Sequence, residues 1–250
     1  MRQTVRNSDP LRTQQAITQA GGAIRLQLRV AEAASTVFDH PIFTASIARI
    51  TAALAQEHSP HYLDLSPFAP AERDVLLRVV HSSGDLSLPA AIRFSPGACA
   101  QGLRALAAGA PILTDTAMAT AAVAPMAGRT FGNTVRCVLE WWPERCPAGG
   151  TRAAAGMEQA LQDHPGAVVL IGSAPTALEL LVHQVGSGRC PPPALVIGMP
   201  VGFVGVQESK RHLAQSGLPQ IRLEGSRGGA GLVAAALNAL LRRGWLDQAR

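Results

Sequence analysis

Three short apolar runs constrain the fold more than anything else in the chain: PILTD (111–115), AVVLIG (167–172) and ALVIGMP (194–200). None alternates apolar with charged residues, and each is bounded by Gly, Pro or Asp. Runs of that length and pattern read as strands buried on both faces. Between them lie stretches of helical periodicity at 41–56, 70–81, 97–109, 153–163, 174–185, 207–215 and 230–243. The stretch 70–81 carries its own punctuation: Pro70 at the start, Glu72 and Asp74 in the first turn, and Gly84 just beyond the end. In 41–56, Ile42, Ile47, Ile50 and Leu54 can share one side. Strands separated by helices, with no internal repeat and no Pro/Gly/Ser linker, predict a single α/β domain. It has three layers, α/β/α, around a mainly parallel sheet.

The domain is placed at 39–250. Residues 1–38 hold five arginines against Asp9 and Glu32, without a signal-peptide core and cleavage site. They read as a dispensable N-terminal extension. No apolar stretch escapes Gly, Pro or charge for long enough to span a bilayer, so no membrane partner is expected. The net charge of +5 comes from scattered basic residues, and aromatics make up only 4%. That favours an anionic small molecule over nucleic acid. Cys99, Cys137, Cys146 and Cys190 form no CxxC pair and no zinc pattern. They read as reduced thiols of a cytoplasmic protein, with no metal.

In such sheets ligands lie beyond the carboxyl ends of the strands, here in the loops after 111–114, 167–171 and 194–199, and several other motifs also carry possible chemistry. RVVHSSGD (78–85) sets Arg78 and His81 one turn apart on a helix. The helix dipole favours a charged imidazole and the arginine opposes it, which makes a proton on His81 transferable. The other reading is a pair that bonds the last helical carbonyls. IGSAPTALELL (171–181) is a strand, a tight turn and a helix, with Ser173 a candidate cap and amides able to hold an anion. GMPVGFVGVQESK (198–210) has the glycine density for a backbone to approach a flat ligand, or simply for a turn. GSRGGAG (225–231) places Arg227 before a helix start, a second candidate anion site. Thr151-Arg152 is a cap followed by an arginine at a dipole-disfavoured position, which a carboxylate partner would explain. Asp115 reads as a cap or loop fastener, and Asn238 as a packing contact. There is no G-x-S-x-G elbow and no cysteine–histidine pair.

Taken together, RVVHSSGD, FSPGA (94–98), GAPILTDTAMA (109–119), IGSAPTAL, PVGFVGVQESK and GSRGGAGLVAAALNAL resemble the precorrin-8X methylmutases of cobalamin biosynthesis, over roughly 40–245. The resemblance implies an isomerase that moves a methyl group from C-11 to C-12 of a corrin precursor, giving hydrogenobyrinate, or cobyrinate when cobalt is present. The methyl group never leaves the molecule, so no cofactor is implied. His81 matches the family's proton donor and acceptor. Ser46, Arg78 and Arg152 match positions that bind the substrate, and a homodimer is implied. Two residues depart from the family's pattern, Ser173 where Asn is usual and Ala230 where Ser is usual. A non-catalytic corrinoid carrier and a Rossmann-like oxidoreductase are the rival readings; the second lacks a GxGxxG and a ribose-binding acid.

Overall fold

A computed structural model describes residues 38–142 and 150–248. Among them run eight helices and six strands, in the order α1 (Pro41–Leu54), α2 (Pro70–Ser83), β1 (Ile92–Phe94), α3 (Ala98–Ala107), β2 (Ile112–Thr114), α4 (Ala117–Gly128), β3 (Val135–Cys137), α5 (Arg152–Asp163), β4 (Val168–Ile171), α6 (Pro175–Gly186), β5 (Leu195–Gly198), α7 (Val206–Gln215), β6 (Gln220–Leu223) and α8 (Ala230–Gln248). The strands form one sheet in the order β1-β6-β5-β4-β2-β3. Only β1, at the edge beside β6, is antiparallel; every other pairing is parallel.

The pleat sends successive side chains to opposite faces. Ile112, Val168, Leu170, Leu195 and Ile197 join one core with α2, α3, α4 and α8. Leu113, Val169, Ile171 and Val196 join the other with α5, α6 and α7. All nine are fully buried, which is why their segments read as continuous apolar runs. The result is the expected α/β/α sandwich.

Three strands and one helix carry little signal in the sequence. β1 is three residues long with Arg93 exposed at the sheet edge. β3 is equally short and only half-buried at Val135 and Arg136. β6 contains Gln220 and Arg222, and Gln220 satisfies its amide by donating to the Leu213 carbonyl at 2.5 Å. Pro125 lies inside α4 and obscures its periodicity.

Among the described residues, those from Ser46 onward form one compact unit, and its boundary falls within α1. Of the apolar side suggested for α1, Leu54 is the one fully buried member, and Ile42 is 72% exposed. The reading of 1–38 as an extension lies outside the described residues, apart from Phe38, and so does Cys146.

Helix α8 packs on α2 with opposite direction. Arg227, just before α8, meets Asp85, just after α2, at 3.0 Å, while Arg243 near the far end of α8 meets Asp74 in the first half of α2 at 3.4 Å. Since α8 starts beyond the carboxyl end of β6, the last turn of α2 lies at the carboxyl-end rim of the sheet.

Candidate active site

The last turn of α2 carries His81. The helix stops there because Gly84 takes the left-handed conformation, φ +70°, and donates its N–H to the Val80 carbonyl. Ser83 turns its hydroxyl back to the Val79 carbonyl at 2.8 Å. The Nδ1 of His81 lies 2.8 Å from Oγ of Ser46 on α1. Partial burial holds its pKa below the usual histidine value, and the Arg78 guanidinium one turn back lowers it further. Ser46, Arg78 and His81, scattered over 36 positions in sequence, thus form one cluster.

Arg152 stands elsewhere. It opens α5, whose start is capped by Thr151 accepting from the Ala154 N–H. Its guanidinium lies 4.8 Å from the ring centroid of Trp142. That aromatic face is one partner for an arginine at a helix start. Thr151 also bonds Thr176 on α6 at 2.7 Å, which ties this corner to the turn after β4. His81 comes to the rim from one helical layer and Arg152 from the other.

The anion site suggested at IGSAPTAL is already filled. Asp115, at the end of β2 and 1% exposed, accepts on one carboxylate oxygen from the N–H groups of Gly172, Ser173 and Ala174, at 3.0, 2.6 and 2.8 Å. Burial pushes the Asp115 carboxyl up, and the three amides work against that. Asp115 is therefore the loop fastener, and Ser173 is not the cap of α6; that position belongs to Ala174, which caps with no side-chain bond.

Two glycines of the rim, Gly172 and Gly228, serve chain packing. A Cβ on Gly172 would lie 2.7 Å from the Ala230 nitrogen and 2.8 Å from the Gly229 carbonyl oxygen, and one on Gly228 would run into the Met199 carbonyl. The three loops are stitched by Val201 N–H to Gly172 O, Gly202 N–H to Ser226 O and Gly229 N–H to Met199 O, at 3.1, 3.0 and 2.9 Å. Lys210, 3% exposed, donates to the carbonyls of Gly225 and Arg227 at 2.8 and 2.7 Å. Burial lowers its pKa to about 8. Arg227, suggested as an anion ligand, instead bonds Asp85 and the hydroxyl of Ser87, at 3.0 and 2.7 Å. Asn238 makes the expected packing contact, donating to Ala122 O at 3.0 Å. Sequence reasoning missed Asp85, Ser87 and Lys210 as parts of this wall. Their signal lay in plain view as the acid of RVVHSSGD and the lysine of ESK, but their partners are more than a dozen residues away.

Beyond the stitched base, the tip of the loop after β5 projects Phe203 and Val204, 94% and 87% exposed. No group of three or more His, Cys, Asp or Glu side chains that could hold a metal occurs among the described residues.

Known proteins share both sequence and architecture with this chain. The family model for precorrin-8X methylmutase matches residues 41–243. The cobalt-precorrin-8 methylmutase of Synechocystis sp. is 35% identical over 223 residues, 84% of this chain and 98% of that protein. The precorrin-8X methylmutase of Pseudomonas aeruginosa is 43% identical over 179 residues, covering 68% and 84%. The crystal structure of precorrin-8X methylmutase from Thermus thermophilus superposes with a TM-score of 0.69 at 39% identity, over 82% of this chain and 96% of that one. On this evidence the chain belongs to the precorrin-8X methylmutase family, a family of isomerases in cobalamin biosynthesis.

Proposed function

We propose that the protein isomerises precorrin-8X, or cobalt-precorrin-8, by moving the ring methyl group from C-11 to C-12, with His81 as the proton donor and acceptor. The observation that carries the reading is the Ser46–His81 contact at the carboxyl-end rim. A methyl shift within one conjugated ring system needs no nucleophile and no leaving group. It needs the ring held in one orientation and a proton delivered to polarise it. In the imidazolium form Nδ1–H donates to the Ser46 hydroxyl, and the second ring proton is on Nε2. A histidine whose pKa lies below the usual value gives up that proton more readily.

Arg78 and Arg152 are proposed as carboxylate ligands. A corrin carries several carboxylates, and guanidinium groups suit them. Because the two arginines reach the rim from opposite helical layers, they would hold a ring lying across the strand ends on two sides. A homodimer is proposed on the family resemblance; sedimentation equilibrium tests it, and a monomer at working concentration refutes it. Three described cysteines are free and buried, and no described helix is long and apolar enough to cross a membrane. Both support the proposed cytoplasmic location. The proposed domain, 39–250, has the family match at 41–243 behind it.

The test is to mix purified protein with precorrin-8X and record the visible spectrum, with His81→Ala alongside. Appearance of the hydrogenobyrinate spectrum with the wild type and its loss in the variant is the expected result. Unchanged precorrin-8X and unchanged cobalt-precorrin-8 would sink the activity; equal turnover by His81→Ala would remove His81 from it.

A further inference from the structure

The rim loops after β4, β5 and β6 are bonded backbone to backbone into one wall. Helix α2, which carries His81, is a separate element. Its last turn is joined to that wall by a relay of three side chains. Lys210 holds the carbonyls of Gly225 and Arg227, which fixes the backbone from which the Arg227 side chain departs. Arg227 then bonds Asp85 Oδ2 and Ser87 Oγ. Asp85 in turn binds the N–H and hydroxyl of Ser87 through Oδ1, at 2.8 and 2.6 Å, and gives its own N–H to Ser83 Oγ. The turn that follows α2 is thus internally tied and externally moored, four residues beyond the histidine.

The energetics point away from a stability role. The Arg227 and Asp85 side chains are 45% and 41% exposed, and an ion pair in that setting contributes little to folding. Geometry is another matter. Misplacing a catalytic group by about 1 Å can cost on the order of 100-fold in rate, so a weak tether can govern a large kinetic term.

Resting on the methylmutase reading above, we propose that Arg227 and Asp85 are positioning residues. They set the distance between His81 and the strand-end wall against which the substrate lies. Arg227 is thereby committed to the protein and is not a ligand of the substrate's carboxylates.

The experiment compares Arg227→Gln, Asp85→Asn, the double variant and the charge-exchanged pair Asp85→Arg with Arg227→Asp. It measures kcat and KM for precorrin-8X, thermal melting, and the His81 ring resonances by NMR with pH titration. Each single change is expected to lower kcat roughly 5- to 50-fold, with KM within about twofold and little change in melting. The double variant is expected to be no worse than either single, and the exchanged pair to recover activity. The His81 ring resonances are expected to shift in both single variants. Unchanged kcat in both singles overturns the proposal. So does a KM increase in Arg227→Gln that Asp85→Asn lacks, since Arg227 would then be a substrate ligand. A large drop in melting temperature that accounts for the rate loss overturns it too. If the wild type itself fails to turn over precorrin-8X, the methylmutase reading fails. The ring resonances still decide the tether: a shift in both variants keeps it, and no shift removes it.

Discussion

Ser46 Oγ and His81 Nδ1 lie 2.8 Å apart across the gap between α1 and α2. A hydroxyl at that nitrogen holds the tilt of the imidazole, accepting from Nδ1–H of imidazolium or donating to Nδ1 of the neutral ring. Ser46→Ala should therefore reduce kcat by roughly 5- to 30-fold, the equivalent of one hydrogen bond of about 1–2 kcal/mol. Stopped-flow spectra at saturating substrate measure it. Undiminished kcat would mean that the contact does not orient the ring during turnover.

Arg78 lowers the His81 pKa, although burial lowers it more. Arg78→Met should move that pKa part of the way back towards the ordinary value near 6.5, because the burial contribution persists. If imidazolium is the acid, the profile of kcat/KM against pH falls as pH rises through this pKa. Its midpoint should then shift upward in the variant. Substrate affinity should weaken at the same time if Arg78 also binds a carboxylate. For stability the sign is the depressed-histidine one. The unfolded chain takes up the proton first as pH drops below 6.5, so this residue lowers folding stability through the window beneath that value.

Lys210 titrates near 8 in the folded protein against 10.5 for a free lysine. Between those values the unfolded state holds the extra proton, so stability should rise with pH from about 8 to about 10.5 on account of this group. Urea denaturation at pH 7.5 and 9.5 should show the rise in the wild type and a smaller one in Lys210→Met. The variant should also be less stable at both pH values, since it leaves the carbonyls of Gly225 and Arg227 unpaired at about 1–3 kcal/mol each if they stay buried. Equal pH slopes in the two proteins would refute the assignment.

Gly172→Ala is expected to destabilise the fold by more than a surface change would. The new Cβ meets backbone atoms of Gly229 and Ala230 at 2.7–2.8 Å, and backbone cannot rotate out of the way as a side chain does. A lowered melting temperature together with weaker product binding would show that the loops after β4 and β6 separate. A variant that melts like the wild type would contradict this account of the glycine.

The central strands and the long helices were legible because burial on both faces leaves no polar residue to break the pattern. The ends of α2 were legible too, since Pro70 and Gly84 are punctuation that needs no tertiary context. β6 and α4 were not, because Gln220 and Pro125 are tolerated only through partners or positions that the fold supplies. Within the site, Arg78 and His81 stood out by their spacing on one helix and Arg152 by its place at a helix start, while Ser46 was placed by family resemblance alone. The anion sites were misjudged for one reason: a glycine-rich turn before a helix looks the same whether its amides await a ligand or already hold Asp115. Likewise Arg227 looked like a free cation because its partner is 142 residues away.

The Asp115 carboxylate has a consequence for what else this architecture can bind. Among the parallel strands, β2 and β4 lie side by side, yet α4 and α6 leave them on opposite faces, and the crevice between such strands is where many α/β proteins seat the phosphates of a nucleotide. Here the amides at that crevice already bind a carboxylate that the chain itself supplies. A nucleotide would compete not with water but with a tethered anion at high effective concentration. The chain carries a built-in competitive inhibitor of the commonest use of its own topology, and anyone grafting a nucleotide site onto this scaffold would have to remove Asp115 before adding a single glycine.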